Sequence, residues 1–153
     1  MVLLVVWGVQ SWQARNLPRG AAPALAGRLL DGRAVNLEDY RGRPVLVHFW
    51  ATWCPVCRLE AGAVAAVAED WPVITVAMQS GTETEVAKYL EARDLRFPVV
   101  VDPDGRIAAR WGVRGVPVSF VVDGSGRIRA ALVGYTTGVG LRLRLWWAEV
   151  SPR

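Results

Sequence analysis

Val45-Leu46-Val47-His48-Phe49-Trp50 is a nearly continuous apolar run of strand length, released by Pro44 and followed within a few residues by an apolar pattern of helical spacing. A strand with one wet face would alternate polar and apolar positions. This one does not, so it is predicted to be the central strand of a sheet covered on both faces. That confines the chain to architectures in which helices pack on a sheet. The helix is predicted from Pro55 to about Glu69, with Val56, Leu59, Ala63 and Val67 as its apolar stripe and proline at the first helical position, where its missing N–H costs nothing. Val73 to Ala77 reads as a second buried strand, and Thr82-Glu83-Thr84-Glu85 has the spacing of a capping box that opens a helix through about Arg93. Strand and helix alternate, so at least part of the sheet is parallel.

Phe97 to Val101 is predicted as a third strand closed by Asp102-Pro103-Asp104-Gly105, with a short helix from Ile107 to Trp111 after it. Pro117 to Val122 and Ile128 to Val133 read as an antiparallel pair joined by Asp123-Gly124-Ser125-Gly126. Upstream, Leu25 to Leu37 reads as a hairpin around the two-residue turn Asp31-Gly32. Leu141 to Trp147 alternates Leu and Arg with a strand-like period but ends in Trp-Trp-Ala-Glu, and we assign it to a terminal helix. The expected class is α/β: a central mixed β-sheet flanked by helices, with an added N-terminal β-hairpin. A length of 153 residues supports one such core and no second catalytic domain.

Residues Val2 to Val9 are apolar but too short to cross a bilayer, which takes about 20 apolar residues, and they lack the positive region and cleavage site of a secretory signal. They read either as a short element packed on the domain or as the end of a membrane anchor, with Trp7 and Trp12 in the interfacial belt. Gln10 to Pro23 then read as a polar, Pro/Gly-punctuated tether, which divides the chain into residues 1–23, anchor end plus tether, and residues 24–153, the folded domain. The formal net charge is +4, but the arginines are scattered singly from Arg15 to Arg153, without the basic block that would neutralise a run of phosphates. Nucleic acid is therefore not an expected partner.

The two cysteines, Cys54 and Cys57, are too few for a disulfide-stapled scaffold or a four-ligand zinc site, so no metal centre and no separate cofactor are expected. Their value lies in reactivity. A C-x-x-C at the joint between a buried strand and a helix places Cys54 where unpaired helix N–H groups favour an anion, and Cys57 one turn later. Cys54 is then the attacking thiolate, and Cys57 resolves the mixed disulfide. Trp53, Pro55 and Val56 surround the pair with nothing polar.

The segment Phe49-Trp50-Ala51-Thr52-Trp53-Cys54-Pro55-Val56-Cys57-Arg58-Leu59-Glu60, together with the opening hairpin and Gly112-Val113-Arg114-Gly115-Val116-Pro117, resembles the membrane-tethered, extracytoplasmic thiol-disulfide oxidoreductases of the TlpA/ResA/DsbE group in the thioredoxin superfamily. Cys-Pro-Val-Cys with Gln79-Ser80-Gly81 and Gly134-Tyr135-Thr136-Thr137-Gly138 looks most like the ScsD-like branch. The resemblance implies a thioredoxin-like fold on an N-terminal anchor at the periplasmic face of the bacterial inner membrane. Its implied partners are cysteine-containing extracytoplasmic proteins and a membrane electron donor or acceptor. It also implies that Val116-Pro117 is a cis-proline loop that faces the cysteines and pairs with a substrate peptide, and that Glu60 is the glutamate kept three residues after the second cysteine. Val118 departs from the threonine common after that proline.

Glu60, the i+3 neighbour of Cys57 at the edge of the stripe, is a candidate proton acceptor, or else a surface carboxylate paired with Arg58 or Arg114. His48 stands six residues before Cys54, where the resemblance has Asp or Asn, and reads either as a satisfied structural histidine of the strand or as a group beneath the site that titrates near neutral pH. Burial would raise the pKa of Glu60 and lower that of His48, bringing both towards working pH as a relay. Two other chemistries compete. Cu(I) could be held by the two thiolates, although no histidine follows Cys57 as a further ligand. A peroxide-reducing site needs a threonine three residues before the reactive cysteine, and that position is Ala51. The first expectation is a reductant of partner-protein disulfides.

Overall fold

A computed structural model describes residues 1–151, without the side chains of Val6 and Trp7. All six residues of the predicted central strand, β4 (Val45–Trp50), are buried. On one side β4 pairs in parallel with β5 (Val73–Met78), Leu46 opposite Val73 and Trp50 opposite Ala77. On the other it pairs antiparallel with β7 (Val118–Val122), Phe49 opposite Val118. A parallel β6 (Val99–Asp102) lies beyond β5, and antiparallel β8 (Arg127–Val133) and β1 (Gly20–Ala21) lie beyond β7, giving the order β1-β8-β7-β4-β5-β6. This is the expected mixed sheet.

The two-residue period of β4 separates two cores. Val45, Val47 and Phe49 join Ile74, Val76, Phe120 and Trp111 on one face. That face is covered by the short α4 (Arg106–Arg110) and by the hairpin β2 (Ala26–Arg28) and β3 (Ala34–Asn36). Gly27 permits the close approach of this hairpin, because a Cβ there would stand 2.7 Å from Val100 Cγ1. Leu46 and Trp50 point the other way, towards α2 (Pro55–Asp70), α3 (Glu83–Ala92) and α5 (Gly138–Val150). His48 shares their face, so it lies in the layer between the sheet and α2.

Several expectations are corrected. The buried face of α2 is Cys57, Glu60, Ala61, Val64 and Val67, one position away from the stripe read from the sequence, and Val56 and Leu59 are exposed. The reason is Cys57: its place beneath the Cys54 cap sets the rotation of the helix. The hairpin closes through residues 29–33 rather than a two-residue turn, with the Leu29 N–H donating to the Arg33 carbonyl and the Asp31 carboxylate holding Arg33. The apolar N-terminal run extends into a helix, α1 (Val2–Ala14), because nothing from Gln10 to Ala14 breaks it. The supposed tether is partly domain, since Leu17 is buried in the core and Gly20–Ala21 is the edge strand on Ile128 and Arg127. Trp7, half of the expected interfacial pair, falls outside the described side chains. Among the described residues no helix is long and apolar enough to cross a membrane.

The tail is helical, as assigned. Leu141, Leu145 and Ala148 form its buried stripe, and the Thr137 hydroxyl caps it by accepting from the Gly140 N–H at 3.1 Å.

Candidate active site

The sequence puts proline at N1 of α2 and a short nucleophile immediately before it, and the backbone responds as a cap. Cys54 is extended (φ −95°, ψ 113°), and its sulfur accepts the Cys57 N–H at 3.1 Å. An N–H aimed at that sulfur, at the positive end of a 16-residue helix, stabilises negative charge on it. Cys54 and Cys57 are joined as a disulfide with Cα atoms 5.3 Å apart. Both are almost completely buried, and Cys57 lies on the inner face of α2.

Around the pair the rim is apolar and open. Trp53 is 55% exposed, and Pro55 and Val56 are exposed beside it. Trp53 is held by its indole N–H, which donates to the Gln79 carbonyl at 3.0 Å. The Ser80 hydroxyl accepts the Thr52 N–H and donates to the Met78 carbonyl, each at 3.0 Å. The loop after β5 therefore fixes the turn that delivers Cys54. In the sequence Gln79 and Ser80 register only as part of a resemblance, since nothing in their linear pattern points to partners 26 and 28 positions away. The Val116–Pro117 bond is cis, and the Val116 carbonyl oxygen lies 3.7 Å from Cys54 Sγ. The Val116 carbonyl therefore stands beside the Cys54 sulfur.

Beneath the site the two titratable candidates diverge. Glu60 is fully buried at the centre of the inner face of α2, not at its edge, and neither carboxylate oxygen has a hydrogen-bond partner. It is not paired with Arg58 or Arg114. Burial pushes its pKa up to about 7, and the nearby Thr136 amide, short of a completed hydrogen bond, pulls it down only in part. His48 is also buried, with Nδ1 2.8 Å from the Ser119 hydroxyl across the β4–β7 pair. Burial lowers its pKa to about 4. Glu60 is thereby brought to working pH, as expected, but His48 is taken away from it, because no neighbouring carboxylate offsets its desolvation.

A groove of about 940 Å³ opens beside the cis-proline loop. Val56, Arg114, Val116 and Pro117 line one part of it, and Trp12, Gln13 and Asn16 of the N-terminal segment line another. Sequence reasoning missed the second set, because a sheet edge formed by Gly20–Ala21 is needed to bring the N-terminus round to the site. Among the described residues no group of three or more His, Cys, Asp or Glu is gathered as a metal site.

Comparison with known proteins agrees with this geometry. The model of the AhpC/TSA family matches residues 18–131. A thioredoxin-like protein of Haemophilus influenzae is 37% identical over 122 residues, which cover 78% of this chain and 72% of that protein. The thiol-disulfide oxidoreductase ResA of Bacillus thuringiensis is 29% identical over 120 residues, covering 76% of this chain and 69% of the relative. The crystal structure of an exposed lipoprotein thioredoxin from Streptococcus pneumoniae superposes with a TM-score of 0.73 at 25% identity, covering 80% of this chain and 98% of the other. These relatives do not confirm the ScsD-like branch.

Proposed function

Since the chain belongs to the AhpC/TSA family and is similar to thioredoxin-like thiol-disulfide oxidoreductases, we propose that it reduces disulfides of cysteine-containing proteins outside the cytoplasm. The enzyme class itself, a protein-disulfide oxidoreductase of thioredoxin-like fold, follows from the relatives and from the Cys54–Cys57 disulfide. The observation that carries the finer reading is the division of labour between the sulfurs: Cys54 caps α2 beside the open rim, and Cys57 faces inward on the same helix face as an unpartnered Glu60.

In the reduced enzyme the Cys54 thiolate attacks one sulfur of a substrate disulfide. The S–S bond breaks, the other substrate sulfur leaves as a thiolate and takes a proton from solvent, and a mixed disulfide remains. Cys57 then gives its proton to the Glu60 carboxylate one helical turn away and attacks Cys54 Sγ. The Cys54–Cys57 bond forms as the second substrate sulfur leaves and is protonated. Two electrons pass to the substrate, and a membrane electron donor restores the dithiol. His48, neutral at physiological pH and bonded to Ser119, positions the floor of the site rather than titrating in the cycle.

The extracytoplasmic, membrane-associated setting is supported by the exposed apolar side chains of α1, Val2, Leu3, Leu4, Val5 and Val9, which resemble an anchor's end, and by the exposed lipoprotein among the similar structures. The direction of electron flow rests on a small difference, since about 30 mV of potential corresponds to ~1.4 kcal/mol. The test is to express Cys57→Ala in cells, trap mixed disulfides and identify what is attached. Extracytoplasmic cysteine proteins, released by reductant and recovered in the reduced state from wild-type cells, are expected. Attachment of cytoplasmic proteins alone, or recovery of the same substrates only in oxidised form, overturns the proposal.

A further inference from the structure

The groove beside the cis-proline loop has two walls of different origin. One is the site itself: Val56 is two residues from Cys54, and Val116 presents its carbonyl 3.7 Å from the Cys54 sulfur. The other is the N-terminal helix and the turn after it, where Trp12 is 64% exposed and Gln13 and Asn16 are exposed. A substrate whose sulfur is bonded to Cys54 must lay the neighbouring part of its chain across the rim, and the groove continues from that rim. Its size is at the upper end of the ~300–1,000 Å³ usual for binding pockets, and its polar side chains include two amides, suited to a peptide backbone. Among the described residues Arg114 is the only charged one lining it. No carboxylate stands within ion-pair distance of Arg114 among the described residues.

We propose that the N-terminal helix is part of the substrate site: Trp12, Gln13 and Asn16 on one wall and Arg114 on the other hold the segment flanking the substrate's cysteine, and they favour a segment that carries an acidic side chain. This rests on the oxidoreductase reading and names the substrate it prefers. Trp12 supplies a rigid apolar surface at low entropic cost, the amides pair with backbone groups, and Arg114 supplies the charge that separates one sequence from another. None of these residues touches the reacting sulfurs. They act on which polypeptide is delivered, not on the exchange.

The experiment follows oxidation of the reduced full chain by three disulfides: two peptide disulfides identical except for glutamate or lysine beside the cysteine, and the small neutral 2-hydroxyethyl disulfide. Wild type is expected to prefer the glutamate peptide by about 5-fold at low salt, less at high salt. Arg114→Gln should bring that preference close to unity. Trp12→Ala should lower the ratio of peptide to small-disulfide rates by about 5-fold for both peptides, and Trp12→Tyr should restore most of it. A preference that survives Arg114→Gln, or a rate ratio unmoved by Trp12→Ala, overturns the inference. Failure of wild type to react even with 2-hydroxyethyl disulfide would instead refute the redox role of the Cys54–Cys57 pair, and the groove assignment with it.

Discussion

Glu60 and His48 are the two buried ionisable side chains beneath the cysteines, and they make opposite predictions. Glu60 titrates at about 7 in the folded protein against an ordinary 4.5, so its proton is held more tightly when folded. The stability it contributes is complete below about pH 4.5 and is lost as pH rises to 7, a loss on the order of 3 kcal/mol. Glu60→Gln should therefore stabilise the oxidised protein above pH 7, measured by denaturant titration across pH. The same substitution removes the proton acceptor, so resolution of a mixed disulfide by Cys57 should slow by about 10²-fold and lose its rise through pH 7. His48 runs the other way, from 6.5 down to about 4. Its contribution is complete above pH 6.5 and is lost as pH falls towards 4, so His48→Asn should flatten the acid side of the stability profile and leave the pH–rate profile near neutrality unchanged. A shifted neutral rate profile in His48→Asn would return it to the relay. That Glu60 neighbours Cys57 was legible from i+3 spacing. The downward direction for His48 was legible too, but its extent was not, because it depends on what the other strands put around it, and β7 supplies a neutral Ser119.

At the scale of elements, the site is held by pieces whose patterns were unequally readable. The central strand, the proline-led helix and the Thr82 capping box follow from local chemistry, and each stands where the residues place it. The rotation of α2 did not follow, because Val56 and Leu59 fit an apolar stripe as well as Val64 does until the Cys54 cap selects one. The Leu–Arg alternation in α5 is ambiguous for the same reason: Leu143 belongs to the strand-like pattern but is exposed, and only Leu141, Leu145 and Ala148 meet the core. The cis-proline loop depends on a further element. Asp102, at the end of β6, accepts the Ile107 and Ala108 N–H groups at 3.1 and 2.9 Å and so starts α4, which leads through Trp111 to residues 112–117. Asp102→Ala leaves the buried Ala108 N–H and the half-buried Ile107 N–H without their carboxylate partner and should cost about 1–2 kcal/mol in urea unfolding. It should also slow exchange with peptide disulfides more than with small ones, because Val116 loses its support. Equal slowing would separate α4 from the substrate side of the site.

Taken whole, the molecule is a two-faced sheet whose reactive corner is assembled from four distant stretches: the β4–α2 joint, the loop after β5, the cis-proline loop before β7 and the N-terminal segment that β1 ties to β8. The first is visible in sequence because its chemistry is local. The others are brought in by strand pairing, and only the family resemblance pointed to two of them, the loop after β5 and the cis-proline loop. The central claim is that this corner performs thiol-disulfide exchange with Cys54 attacking and Cys57 resolving. Its most direct test is to react the reduced wild type, Cys54→Ser and Cys57→Ser with a peptide disulfide at pH 7 and map any adduct by mass spectrometry. Wild type should end as the internal disulfide with free peptide thiols, Cys57→Ser should accumulate the peptide on Cys54, and Cys54→Ser should remain essentially unmodified. A stable adduct on Cys57 that forms as fast as the one on Cys54 would contradict the assignment.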